Sequence, residues 1–262
     1  MTSFEDTLEV EFKFIPEKRE IDVVGDFARL FGPNYGFAMW PPCANLDIYL
    51  DTPDFLLYET NAPLRLRRWA TPYKLKQGIS ANFKYPPEPG EGLHRRELKT
   101  ILSEEEARRV CGGAIVGDTL KHAATWSGAS ENATAAFTPK VMISTQQALY
   151  VLRQRVGVDS TATGRGKEAD LLLLTFERCT VREVPEKAVS RLLRNGMLDV
   201  DPGRRVFEFF EAELEIVAPA TRFDLASELY AQAFCMVRES GAKMPCLSKY
   251  STAIRAIYGH YE

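Results

Sequence analysis

The stretch LEVEFKF, residues 8–14, alternates charged and apolar side chains with a period of two. In a β-strand this puts Glu9, Glu11 and Lys13 on one face and Leu8, Val10, Phe12 and Phe14 on the other. The pattern returns in PLRLRRW (63–69), where Arg65 and Arg67 oppose Leu64 and Leu66. It returns again in EAELEIV (211–217), where Glu211, Glu213 and Glu215 oppose Ala212, Leu214 and Ile216. A solvated sheet face alternates too, and that is the competing reading, but such a face usually mixes signs within a strand. Here one strand is purely basic, one purely acidic, and one carries two acids before a lysine. Carboxylates at i and i+2 lie about 6.5–7 Å apart and repel by roughly 2 kcal/mol at an effective dielectric of 20. Open water screens that cost, whereas a confined channel retains it. A divalent cation on hard oxygen ligands offsets it. The basic strand suits an anion with several oxygens, because Arg forks onto phosphate. Acids for a cation, facing bases for a polyphosphate, describe a metal-dependent phosphoryl-transfer site.

Outward from these three segments, extended stretches dominate. Strands are expected at 7–15, 45–51, 63–69, 80–86, 94–101, 138–143, 148–156, 170–179 and 207–217. Helices are expected at 17–31, 103–111, 185–195, 222–239 and 248–258. Ser103 with Glu106 forms a capping-box signature, and Pro185 and Gly196 bracket the third helix. Loops are expected at 126–137, which is polar and small, and at 157–168, where Gly, Thr and Ser cluster. The strand pattern resumes after each loop, so the reading is one domain over 1–262.

The chain has 262 residues, with 33 Lys and Arg against 36 Asp and Glu, a net charge of −3. That balance argues against an extended nucleic-acid surface, which normally carries a strong basic excess. It leaves room for a basic site matched by an acidic one. Five cysteines, Cys43, Cys111, Cys179, Cys235 and Cys246, lack C-x-x-C spacing and read as reduced thiols. The opening MTSFEDTLEVEF has neither the basic start nor the apolar run of a secretory signal. The densest aliphatic run, Leu171 to Leu174, is too short for a bilayer. The expected compartment is cytoplasmic, with no membrane partner. His94, His122 and His260 are too scattered for zinc or Ser-His-Asp chemistry, and no Walker A or G-x-G-x-x-G signature occurs.

Several segments together carry a family resemblance. Glu9-Val-Glu11-Phe-Lys13 resembles the E-x-E-x-K signature of the CYTH superfamily, the triphosphate tunnel metalloenzymes. DIYLDTPDFLLYETNAPLRLRRW (47–69) is similar to the family's tyrosine-aspartate-threonine-proline stretch leading into paired arginines. Asn82-Phe83-Lys84, Arg96-Glu97, Glu211-Ala-Glu213-Leu-Glu215 and Ser248-Lys249-Tyr250 follow in the family's order. The resemblance implies an α+β fold: a closed eight-stranded antiparallel β-barrel forming a charged tunnel, with helices packed outside. It implies a small-molecule triphosphate bound with Mg2+ or Mn2+. By the same resemblance Glu9, Glu11, Glu213 and Glu215 are metal candidates. Lys13, Arg65, Arg67, Lys84 and Lys249 are substrate candidates, and Lys13 with Glu9 and Glu11 are the catalytic candidates. Glu97 is a further candidate and Lys76 a rival to Lys84. Tyr49 and Asp51 are read as shaping the turn before the arginine strand.

Two departures stand out. Gln146 and Gln147 occupy the region where the family often has another arginine, and Glu177 sits where an aspartate is common. A neutral glutamine there forgoes a charged contact of roughly 1.5–3 kcal/mol. Extra length, read as insertions, falls near 102–137 and 157–168. The expected activity is metal-dependent hydrolysis of inorganic tripolyphosphate or of an organic or nucleoside triphosphate. The alternatives are an adenylyl cyclase of the class IV type and a non-catalytic polyphosphate- or nucleotide-binding module. A homodimer is the default expectation for oligomeric state.

Overall fold

The computed structural model describes residues 4–71, 76–86, 94–128, 136–155, 169–184, 205–245 and 248–259. Eight strands run β1 (Phe4–Phe14), β2 (Tyr35–Asp51), β3 (Leu64–Thr71), β4 (Lys76–Lys84), β5 (His94–Leu102), β6 (Thr138–Gln154), β7 (Asp170–Glu183) and β8 (Arg205–Ile216). They close a barrel in the order β1-β5-β4-β3-β2-β6-β7-β8, antiparallel at every pairing. The helices among the described residues are α1 (Glu20–Phe31), α2 (Leu56–Glu59), α3 (Glu104–Cys111), α4 (Asp118–Trp126), α5 (Phe223–Glu239) and α6 (Lys249–Tyr258). None of them is long and apolar enough to cross a membrane.

The alternation decides which face is which. Val10, Phe12, Phe14, Leu172, Leu174, Ala212 and Leu214 turn outward and are buried with Phe27 of α1 and Leu229 and Ala233 of α5. On another part of the wall, Ile48, Leu64, Leu66, Ala81, Phe83 and Leu98 are buried with Ala107 and Val110 of α3 and Leu120 and Ala123 of α4. Each large side chain buried this way contributes about 1.5–3 kcal/mol, so the helices are held by the apolar half of the strand pattern. The charged half is left to line the interior. α6 has a different place. Its Tyr250, Ala253 and Ile254 pack on Tyr49, Val141, Ile143, Cys179 and Val181. Those five share the inward face with the tunnel charges, so α6 plugs one end of the barrel.

The segmentation differs from expectation in several places, among them the short helix α2, the longer β7 and the three that follow. β6 is one strand over Thr138–Gln154, where two were expected, because the polar run Ser144 to Gln147 is paired on both sides and not a break. β2 begins ten residues earlier than expected, and its register shifts between Trp40 and Cys43, where Pro41 and Pro42 lie. Proline donates no ladder bond and is tolerated in a strand at such an irregularity. α4 was not expected; it occupies part of the extra length, and its last residue, Trp126, begins the stretch read as a loop. The capping box of α3 forms as read, with Glu106 N donating to Ser103 Oγ at 3.2 Å. The helix expected at 185–195 and the loop at 157–168 lie outside the described residues.

Candidate functional site: a charged tunnel

Pairing registers carry the inward set around the barrel. Lys13 stands opposite Glu213 and Glu11 opposite Glu215. Glu213 and Glu211 stand opposite Thr175 and Glu177, Glu177 opposite Gln147, and Gln147 opposite Cys43. On the other arc Asp47 faces Arg67, Tyr49 faces Arg65, Arg65 faces Asn82, and Lys84 faces Glu97. Residues directly opposite share a face, so these side chains converge on one lumen.

Three lysines thread the acids. Lys84 pairs with Glu9 and lies 3.4 Å from Glu11 Oε1. The Lys13 ammonium lies 3.1 Å from Glu213 Oε2, 3.6 Å from Glu211 Oε1 and 3.9 Å from Glu11 Oε1. Lys249, the first residue of α6, reaches in from the plugged end. It pairs with Glu177 and stands 3.3 Å from Glu211 Oε1 and 3.5 Å from Glu213 Oε2. Burial alone would lower these lysines' pKa values, but the surrounding carboxylates outweigh it and raise all three.

The acids divide by their neighbours. Burial pushes Glu213 up, yet Lys13 and Lys249 outweigh it and hold it well below the usual carboxylate range. Its neighbour Glu11 is pushed up to about 7 by burial and by Glu213. The pair thus holds one proton more readily than two charges, with Glu213 ionised. Glu215 makes no ion pair with a described residue; burial and the charges of Glu213, Glu9 and Glu11 push it up to about 8. Oxygens of Glu177, Glu211 and Glu213 lie within 4.8 Å of one another. Glu9 Oε2, Glu177 Oε2 and Glu211 Oε1 are buried and accept no well-formed hydrogen bond; each lies against a lysine ammonium instead. Such a set of hard, under-coordinated oxygens fits a hard divalent cation.

The basic arc has a partner that sequence reasoning missed. Asp47, fully buried, accepts from Arg67 Nε and Nη2 at 2.7 Å each and lies 3.6 Å from Arg65 Nη1. Burial would raise its pKa, but the two guanidinium groups outweigh it and lower it to about 2. Arg65 also reaches Glu97 at 3.5 Å, and Glu97 accepts from Asn82 Nδ2 at 3.2 Å. A signal was present, since Asn45, Asp47 and Tyr49 alternate with Leu46, Ile48 and Leu50. Arg95, which lines the lumen beside Lys84 and donates to the Asn61 carbonyl at 2.9 Å, was missed as well.

All nine of the metal, substrate and catalytic candidates, Glu9, Glu11, Lys13, Arg65, Arg67, Lys84, Glu213, Glu215 and Lys249, face this lumen. Glu97 joins them, whereas the Lys76 side chain lies outside the described residues. Asp51 instead organises the turn: it accepts from the backbone N–H groups of Thr52, Leu57 and Tyr58 and from the Tyr250 hydroxyl at 2.6 Å. Tyr49 stacks on Tyr250 with ring centroids 5.0 Å apart. Gln146 faces solvent, and Gln147 faces the lumen, donating to Glu177 Oε1 at 2.6 Å while accepting from Asn45 at 2.9 Å. The acid cluster therefore takes Glu177 and Glu211 alongside Glu213, and Glu215 stands apart from it.

A cavity of about 40 Å³ opens between Lys13, Arg65, Lys84, Arg95 and Lys249. A larger groove, about 550 Å³, lies outside the barrel between α1 and the end of α5. Its floor is apolar and its rim charges Lys18, Asp26 and Arg29 pair with one another, so the convergent chemistry is in the tunnel.

No protein-family model and no curated protein matches the chain. Among solved structures, a Bacillus halodurans protein described as a candidate adenylate cyclase is similar at 15% identity with a TM-score of 0.50. The match covers 97% of this chain and 98% of that one. A candidate adenylyl cyclase from Hippeastrum, with a dominant triphosphatase activity, is similar at 12% identity with a TM-score of 0.50, covering 94% of each chain. At such identities the likeness is one of fold. What this chain is seen to share with them is therefore fold alone, here a closed eight-stranded antiparallel barrel.

Proposed function

We propose that the tunnel binds a small-molecule triphosphate together with Mg2+ or Mn2+ and hydrolyses its terminal phosphoryl group. The observation that carries this reading is the set of buried, under-coordinated carboxylate oxygens lying against lysine ammonium groups, beside arginines already oriented in the lumen. Glu177, Glu211 and Glu213, with Glu9 and Glu11, would hold the cation, which supplies charge neutralisation and a more acidic attacking water. Displaced from their acids, Lys13, Lys84 and Lys249 bind the phosphate oxygens. Arg65 and Arg67 keep the chain in line, while Asp47 and Glu97 fix the planes of their guanidinium groups. In the ligand-free chain the carboxylates around these lysines raise their pKa values and keep them charged, which suits them to act as electrostatic clamps on phosphate.

The test is incubation with tripolyphosphate, ATP and thiamine triphosphate, each with Mg2+ or Mn2+, followed by product identification. Orthophosphate released only with metal supports hydrolysis. Pyrophosphate with cyclic AMP would replace it with cyclisation, and tight binding without any product would make the chain a binding module. A Glu9→Gln, Glu11→Gln double variant that retained full metal-dependent turnover would remove these two acids from the site.

A further inference from the structure

Gln147 stands in the lumen where the resemblance would place an arginine, and its hydrogen bonds run in one direction. On the strand ladder it lies between Cys43 of β2 and Glu177 of β7. Its Oε1 accepts from Asn45 Nδ2 at 2.9 Å and from the Cys43 thiol, while its Nε2 donates to Glu177 Oε1 at 2.6 Å. Burial raises the pKa of the Cys43 thiol, so the thiol keeps its proton and can donate. With donors on one side and an accepting carboxylate on the other, the amide has one favourable orientation. Asn45 and Glu177 are both buried, so water offers them few competing bonds.

The consequence falls on the other oxygen of Glu177. Glu177 Oε2 pairs with the Lys249 ammonium, which also lies 3.3 Å from Glu211 Oε1 and 3.5 Å from Glu213 Oε2. Three carboxylate oxygens from β7 and β8 thus converge on one positive charge. A glutamate free to change rotamer would lose that aim, and holding it still has an entropic cost. Gln147 removes the freedom by holding Oε1. An arginine in its place could hold Oε1 as well, but its charge would repel a cation and offset the carboxylate. A neutral amide orients Glu177 and leaves the negative charge intact.

We infer that Gln147 is a positioning residue for the cation site: anchored by Asn45, it holds Glu177 Oε1 and aims Glu177 Oε2 at the point shared with Glu211 and Glu213. This rests on the reading of the acid cluster as a divalent-cation site. A neutral side chain in place of the expected arginine then favours the cation at the expense of a direct phosphate contact. Hydrogen-bond partners that orient a metal ligand in this way set metal affinity by roughly 10–100-fold.

The test is calorimetric titration of Mn2+ into the full chain at pH 7, and of tripolyphosphate in EDTA. Gln147→Met keeps the length and loses the donor; it should weaken Mn2+ binding by roughly tenfold or more. Its tripolyphosphate affinity in EDTA should stay within about twofold of the wild type, a split that a merely structural role would not produce. Gln147→Arg should weaken Mn2+ binding at least as much without weakening tripolyphosphate, and it carries the test should Gln147→Met fail to fold in a metal-free melt. Adding Asn45→Ala to Gln147→Met should cost little further Mn2+ affinity, since Asn45 acts through the amide. Gln146→Met, on the solvent side of the same strand, should leave both affinities unchanged. An unchanged Mn2+ affinity in the Gln147 variants, or an equal loss for both ligands, would overturn the positioning role while Mn2+ binding by the wild type upheld the cation site. A wild-type chain that bound no Mn2+ would overturn both.

Discussion

Replacing Lys249 by Met tests whether the acid cluster is a cation site whose occupant, in the ligand-free chain, is a lysine. The Lys249 side chain is 5% exposed and its ammonium is shared by Glu177, Glu211 and Glu213. Met keeps most of the stem and removes the charge. Breaking a buried ion pair by removing one partner costs about 3–5 kcal/mol, because the other charge is left uncompensated. For a chain of this size each kcal/mol shifts Tm by roughly 2–4 °C, so the metal-free variant should melt about 6–20 °C below the wild type. Two conditions should recover much of the loss. Adding Mn2+ should raise the Tm of Lys249→Met by more than it raises that of the wild type, since the cation takes the place of the ammonium. Acidification should narrow the gap too. Glu213 is held below its unfolded value, so the stability it lends is present above pH about 4.5 and is lost as pH falls through its folded pKa. Without Lys249 that depression shrinks and there is less to lose. The assay is a thermal melt of both proteins in EDTA across pH 3–8, and in Mn2+ at pH 7. Equal Mn2+ stabilisation of the two proteins, with the gap constant across pH, would refute the reasoning.

Four further outcomes follow from named contacts. Glu11 and Glu215, pushed up to about 7 and about 8, favour the folded state when protonated; that stability is full below their unfolded values and is lost as pH rises through 7–8. The metal-free wild type should therefore lose Tm as pH rises through that window, and Glu215→Gln should flatten the slope in the same melts. Asp47→Asn leaves Arg65 and Arg67 short of a counter-ion; it should cost about 3–5 kcal/mol in denaturant unfolding, and tripolyphosphate should stabilise it more than it does the wild type. Gly78→Ala forces the Trp69 ring aside and should cost about 1–3 kcal/mol, with a shifted tryptophan emission spectrum as a second readout. Tyr250→Phe removes the hydroxyl that Asp51 accepts and should cost about 1–3 kcal/mol in chemical denaturation.

The barrel was legible because its lumen inverts the usual burial rule. Segments such as 8–14 and 211–217 needed a polar interior to make sense, and both proved to be lumen strands. Other parts were hidden for physical reasons. Pro41 and Pro42 disguise the first half of β2, because a strand that tolerates them at a register shift looks like a loop in one dimension. Ser144 to Gln147 looks like a gap since Gln146 meets solvent while Gln147 meets Glu177, so neither face of that stretch is apolar. α4 is only nine residues long and draws its burial from Leu120, Ala123 and Ala124, a weak periodic signal. Within the site, the paired arginines were readable from their shared face. Their buried counter-ion was not read, although Asp47 sits two residues before Tyr49 in the same alternation. Which acids cluster was beyond the sequence, because Glu177 and Glu211 meet only through strand register and the placement of α6.

If the sorted acids and bases of the lumen form one site for a polyanion bridged by a divalent cation, the two ligands must change each other's affinity by thermodynamic linkage. The most direct measurement is a calorimetric titration of tripolyphosphate into the wild-type chain, in EDTA and then with saturating Mn2+. Mn2+ should tighten tripolyphosphate binding by at least about tenfold, and Arg65→Ala should weaken binding in both conditions. Identical affinities with and without Mn2+, or no binding at all, would contradict a shared site.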